Sequence, residues 1–141
     1  MMKVWAYIHP ELNILCCAVL PEAVPPGIQA IEFEVESPDD VVYDNGQIRL
    51  KTSEEKLNEQ KQIKLEQLKQ IFASKIAKTD YLIVKLEEAR LTNQDVQPLL
   101  DKYAAKLQER QQLRERYEKL KRAIQNATTL EELDSINVYN L

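Results

Sequence analysis

Strict alternation in Ile31-Glu32-Phe33-Glu34-Val35-Glu36 puts three apolar side chains on one face of an extended segment and three glutamates on the other, the signature of a half-buried strand. Upstream, Val4-Trp5-Ala6-Tyr7-Ile8 and Ile14-Leu15-Cys16-Cys17-Ala18-Val19 are β-rich runs separated by the turn-sized insert His9-Pro10-Glu11-Leu12-Asn13, a spacing that predicts a hairpin. Pro21, Pro25, Pro26 and Gly27 break regularity before the acidic strand. Val41-Val42-Tyr43 and Gln47-Ile48-Arg49-Leu50 flank Asp44-Asn45-Gly46, and Asn-Gly suits the positive backbone angles of a tight turn. These patterns predict a small antiparallel meander of about five short strands over residues 1–51.

The pattern changes abruptly at Thr52-Ser53-Glu54-Glu55, which has the form of a capping box. Leu57, Leu65, Leu68, Phe72 and Ile76 then recur at helical spacings. From Leu57 to Ile63 the stripe is thin, with Lys61 where a leucine would be expected, so this stretch reads as a solvated connector. Thr79-Asp80 either interrupts or decorates a helix predicted over about 53–91, which unbroken would span about 58 Å at 1.5 Å per residue. Tyr81-Leu82-Ile83-Val84-Lys85-Leu86 is apolar almost all round and is predicted at the heart of the helical core.

Thr92-Asn93-Gln94-Asp95 supplies a stop and a start, and Pro98 fits a first helical turn. In the second long helix, about 96–126, Leu99, Tyr103, Lys106, Arg110, Leu113, Tyr117, Leu120, Ile124 and Ala127 form a coiled-coil-like seam. Its charged middle specifies register or snorkels at the edge of a helix pair. Thr128 with Glu131, or Thr129 with Glu132, would cap a short last helix at about 129–135. The whole predicts an α+β chain, with a β head (1–51) and a helical body (52–141) folded as an antiparallel hairpin.

Composition sharpens this division. Both glycines, both cysteines and five of the six prolines lie in the first 46 residues. Residues 1–50 carry eight acids against two bases, and residues 51–141 carry fifteen acids against seventeen bases. A formal net charge of -4 argues against nucleic acid, since phosphate binding needs basic residues that outweigh the acids around them. No apolar run approaches a membrane span, and the first residues lack a secretory pattern, so synthesis and assembly in the cytoplasm are expected.

Candidate chemistry is sparse. His9 is the only histidine and sits before a proline in a turn, with no second ligand or nucleophile nearby. Asp39, Asp40 and Asp44 lack the ligand spacing of a calcium loop. Cys16 and Cys17 are adjacent and point to opposite faces of a strand, so they read as free thiols. Arg110 to Arg122 is base-rich but broken by glutamates, as in a solvated helix face. No catalytic, metal or cofactor site is expected. Protein contact is the better lead: Trp5 and Tyr7 share one strand face, Glu32, Glu34 and Glu36 would suit a basic docking surface, and the apolar seam Leu99, Tyr103, Leu113, Tyr117, Leu120 and Ile124 would suit helix association.

Thr79-Asp80-Tyr81-Leu82-Ile83-Val84-Lys85-Leu86-Glu87-Glu88, then Tyr103, Glu109-Arg110-Gln111-Gln112-Leu113-Arg114 and Ala127-Thr128-Thr129-Leu130-Glu131-Glu132-Leu133, resemble the helical C-terminal part of small bacteriophage tail proteins encoded with tail fibres and baseplates. The β-rich start resembles their N-terminal module. The resemblance implies a non-enzymatic role in a virion tail, as a fibre or baseplate component or as a fibre-assembly chaperone. It implies other tail proteins as partners and self-association, without selecting three strands over two. A phage-encoded inhibitor, placing its acidic head on a host protein, is a further alternative.

Overall fold

The computed structural model describes all 141 residues. The fold is α+β: short antiparallel strands come first and long helices follow. The strands are β1 (Met2–Ile8), β2 (Leu15–Ala18), β3 (Ile31–Val35), β4 (Val41–Asp44) and β5 (Gln47–Leu50). The helices are α1 (Ser53–Ala77), α2 (Asp80–Leu91), α3 (Gln97–Asn126) and α4 (Leu130–Asp134). The chain divides into two compact units, Met1–Lys56 and Leu57–Leu141.

In the head, β1 is the middle strand of a sheet ordered β2-β1-β3, and β4 and β5 form a separate two-stranded ribbon. Successive strands are therefore not always neighbours. Both β2 and β3 run antiparallel to β1, so residues 19–30 must carry the chain across β1 to its far edge. Pairing Met2 with Val35, Val4 with Phe33 and Ala6 with Cys17 places these side chains on one face, because directly opposed residues project together. Val4, Ala6, Val35 and Val41 are the buried core there, with Met2, Leu15, Cys17, Phe33 and Ile48 against them. Asn45 (φ 50°) and Gly46 (φ 79°) both take positive φ in the β4–β5 turn, which matches the right-handed twist of the strands they join.

In the body, contacts between antiparallel helices run in a ladder. Tyr103 meets Lys85, Arg110 meets Ile76, Tyr117 stacks on Phe72 with ring centroids 4.3 Å apart, and Lys61 reaches the Gln125 carbonyl at 2.9 Å. The buried core joins Leu68 of α1 and Leu113 and Ile124 of α3 to the C-terminal segment, through Ala127, Leu133, Val138 and Leu141. Thr129 caps α4, its hydroxyl accepting from the Glu132 amide at 3.1 Å.

Four expectations from the sequence are corrected. The helix predicted over 53–91 is two helices, α1 and α2, separated at Lys78–Thr79. Residues 81–86 are not core throughout: Leu82 is buried and Leu86 half-buried, whereas Tyr81, Ile83 and Val84 are exposed. The apolar contacts of α2 are made along one side, where Tyr81 meets Tyr103 of α3 edge-on, and one stripe suffices to cover them. Lys106 is exposed, and Leu107 is the half-buried residue at that level of α3. Residues 57–63 are a solvated connector only in part: Asn58, Glu59, Gln60, Gln62 and Ile63 are exposed, but Leu57 packs on the core and Lys61 reaches the end of α3.

Candidate functional site

The outer face of the β2-β1-β3 sheet carries Lys3, Trp5 and Tyr7 along β1. Register places Trp5 between Ala18 and Glu32, Tyr7 opposite Cys16, and Lys3 opposite Glu34. Lys3 Nζ lies 3.4 Å from Glu32 Oε1 across the strands. Trp5 is half-buried while Tyr7 and Ala18 are buried, although the head's apolar core lies on the opposite face. Residues 19–30 are the segment that topology takes across β1, and Val24, Pro25 and Ile28 within it are half-buried. Burial pushes the Tyr7 phenol above its usual range, and the neighbouring Cys16 adds to that.

Glu32, Glu34 and Glu36 are exposed on edge strand β3 and just beyond it. The sequence pattern therefore located an acidic edge and an aromatic face, but Tyr7 is closed off within the head and only Trp5 is partly open. What sequence reasoning missed is apolar. Leu12, Ile14, Val19, Leu20 and Ile31 are 48% to 65% exposed in the same small head. They flank β2 and open β3, where isolated aliphatics in turns give no periodic signal. Single exposed apolar residues are ordinary, and only contiguous ones mark a contact surface.

The two thiols lie on opposite faces of β2, as the strand's alternation requires. Cys17 Sγ donates to the Pro38 carbonyl at 3.8 Å, and burial foremost pushes its thiol up, away from the reactive thiolate. His9 serves its own turn: Nδ1 accepts from the amides of Glu11 and Leu12 at 3.2 and 3.1 Å. No group of three or more His, Cys, Asp or Glu side chains is placed to hold a metal ion.

The first turn of α1 is fastened to the β4–β5 ribbon. Arg49 Nη1 meets Glu55 Oε1 at 2.7 Å and Arg49 Nη2 meets Asp44 Oδ2 at 3.0 Å. Glu55 also accepts from the Thr52 amide at 3.0 Å while Thr52 Oγ1 accepts from the Glu55 amide at 3.2 Å, a reciprocal capping box. The Arg49 guanidinium, with the Thr52 amide behind it, lowers the Glu55 carboxyl to about 2. Lys56 adds a contact to Asp40 at 3.5 Å.

The α3 seam is largely occupied within the chain. Leu113 and Ile124 are buried, and Tyr117 and Leu120 pack half-buried against the same core. Tyr103 meets Tyr81 edge-on at 6.3 Å and accepts from Lys85 Nζ at 3.3 Å; that hydrogen bond draws its phenol below the usual value. Leu99 is half-buried at the α2 end of the helix. Arg110, the charged seam residue, is 12% exposed and turned onto the α1–α2 joint. Apolar surface left open in the body includes Ile63 on α1 and Tyr139 near the C-terminus and a group on α2, where Val84 and Leu91 stand 56% and 69% exposed one above the other, with Ile83 beside them. No helix is long and apolar enough to cross a membrane.

Comparison with protein-family models, with curated proteins and with solved structures finds no match to this chain.

Proposed function

We propose that this chain is a non-enzymatic structural component of a phage or phage-like tail, in the fibre or baseplate region, docking onto other tail proteins through its β head. The observation that carries the reading is the contrast in how apolar surface is used. The head leaves Leu12, Ile14, Val19, Leu20 and Ile31 exposed and carries an acidic edge at Glu32 and Glu34, whereas the α3 seam of the body closes on the chain's own C-terminal segment. Exposed aliphatics together with an acidic strand edge suit a partner that offers apolar and basic contacts. Self-association runs through the outward face of α2, by way of Ile83, Val84 and Leu91, since the α3 seam is already filled. The layout of head and helices resembling small tail proteins supplies the biological setting, the virion tail.

Peptide mass spectrometry of purified particles tests the proposal, with this chain quantified against the tube or sheath protein. A fixed stoichiometric ratio is the expected result. Abundance in lysate with absence from particles overturns it in favour of a fibre-assembly chaperone, a reading favoured by the exposed α2 face, which could hold a folding client. Salt-sensitive capture of a host protein by the acidic head would favour the inhibitor alternative instead.

A further inference from the structure

No glycine or proline stops a helix between Lys75 and Glu88, where only Thr79-Asp80 offers an interruption. Yet α1 ends at Ala77 and α2 begins at Asp80. The interruption is slight. Thr79 sits at φ -112°, ψ 3°, about 45 to 50° from helical values in each angle. Tightened bonds lie on both sides of it, Thr79 N to Ile76 O and Leu82 N to Thr79 O, each 3.1 Å.

Local chemistry at Thr79 does not account for the break. Thr79 makes no side-chain cap to α2; its hydroxyl donates backwards to the Ile76 carbonyl at 3.0 Å. Such a back-bond bends a helix but is compatible with it. The other donor to that carbonyl comes from a distant part of the chain. Arg110 Nη1, on α3, lies 3.1 Å from Ile76 O, 2.9 Å from Thr79 Oγ1 and 2.8 Å from Asp80 Oδ1. In an unbroken ladder the Ile76 carbonyl would accept from the Asp80 amide. Here it is shared among the Thr79 amide, the Thr79 hydroxyl and a guanidinium, and Asp80 is turned to pair with the same cation.

We propose that the α1–α2 joint is a conditional break, imposed by Arg110 while α3 is docked, and that residues 53–91 become one continuous helix when Arg110 is withdrawn. The segment is then a two-state element, bent or straight, whose position follows α3. Any partner that draws Arg110 away or slides α3 along α1 would switch it, carrying the exposed α2 face with it.

The test uses the full chain with Cys16→Ala and Cys17→Ala, spin-labelled at exposed Glu66 and Glu88, and pulsed dipolar distance measurement. A continuous helix separates these backbone positions by about 33 Å. The expected result is a shorter distance in the parent, which lengthens to the straight value in Arg110→Met. An unchanged distance in a folded Arg110→Met, or a parent already at the straight value, overturns the proposal. Should Arg110→Met not fold, Thr79→Ala decides: a bend that persists without the hydroxyl supports imposition by Arg110, and straightening from this change alone shows the break to be local and overturns it.

Discussion

The head and the helical body are held by different chemistry. In the head, the side-chain cations end on carboxylates: Arg49 on Glu55 and Asp44, Lys56 on Asp40, and Lys3 on Glu32. The body has carboxylate pairs too, Arg90 with Glu87 and Arg110 with Asp80, but there four cations also reach backbone oxygens of distant segments. Lys61 reaches Gln125 O at 2.9 Å, Lys64 reaches Leu133 O at 2.6 Å, Lys75 reaches Leu141 O, and Arg110 reaches Ile76 O. Helix C-termini present unsatisfied carbonyls and a partial negative charge, so a lysine there completes the hydrogen-bond inventory and meets the dipole. Carbonyls do not titrate and carboxylates do. The long-range side-chain ties of the head thus rest on groups that respond to acid, whereas those of the body rest largely on groups that do not.

The largest effect should fall on docking. Ile14→Glu with Leu20→Glu places two charges on the head's open apolar surface, where neither side chain contributes to the core. Incorporation into particles should drop to background while circular dichroism and Trp5 fluorescence stay at parent values. Ile83→Glu with Val84→Glu, on α2, should leave incorporation of the head intact and lower self-association by sedimentation. If the two pairs exchange effects, the roles assigned to head and body are reversed.

Next comes core packing. Leu68 is fully buried on α1 among residues of α3 and the C-terminal segment, and Leu68→Ala should cost about 3 kcal/mol through lost burial and the cavity left behind. Urea unfolding followed at 222 nm reports the body, and the single tryptophan, Trp5, reports the head. The helical midpoint should fall with the Trp5 transition nearly unmoved. Equal shifts in both signals would mean that the two units unfold as one block, and the comparison would lose its thermodynamic meaning.

Features legible in the sequence are those decided within a few residues. The alternation of Ile31, Phe33 and Val35, the Asn45-Gly46 turn and the Thr52–Glu55 and Thr129–Glu132 caps depend on neighbours in the chain. What was not legible depends on distant partners. The order β2-β1-β3 is set by where residues 19–30 carry the chain. Lys61 looked like a gap in an apolar stripe because its acceptor, Gln125 O, belongs to another helix. Lys106 and Leu107 are both consistent with a three-or-four step from Tyr103, and only packing against the neighbouring helices selects Leu107. The aromatic strand face was visible from its period of two; that Tyr7 would be closed off, and that Leu12, Val19 and Leu20 would stay open, was not.

A smaller loss is expected where a lysine caps a helix end. Lys64→Met keeps the aliphatic stem and removes the ammonium from the Leu133 carbonyl. A lysine placed on the carbonyls of a helix C-terminus is worth about 1 kcal/mol, to be measured as the change in the 222 nm urea midpoint at neutral pH. A loss near that of Leu68→Ala would mean that the tie, rather than burial, holds the C-terminal segment.

The smallest effect separates the two chemistries most cleanly, because it depends on pH. The Glu55 carboxyl is lowered from 4.5 to about 2, chiefly by its hydrogen bonds with Arg49, so its folded-state pKa lies below its unfolded one. Its contribution is therefore fully present above about pH 4.5, declines as pH falls towards 2, and is absent below that. Glu55→Gln keeps the shape and removes the titration. The stability gap between parent and Glu55→Gln should be constant from pH 7 to 5 and narrow progressively from 4.5 downwards, with the side-chain carboxyl shift of Glu55 followed by NMR over the same range. Lys64→Met supplies the contrast: its acceptor is a backbone carbonyl rather than a carboxylate, so its gap should stay flat while the other closes. A Lys64→Met gap that narrowed in parallel would mean that nearby carboxylates, Glu132 first among them with its own pKa lowered by Thr128, support the body's ties as well, and the two regions would then differ in degree rather than in kind.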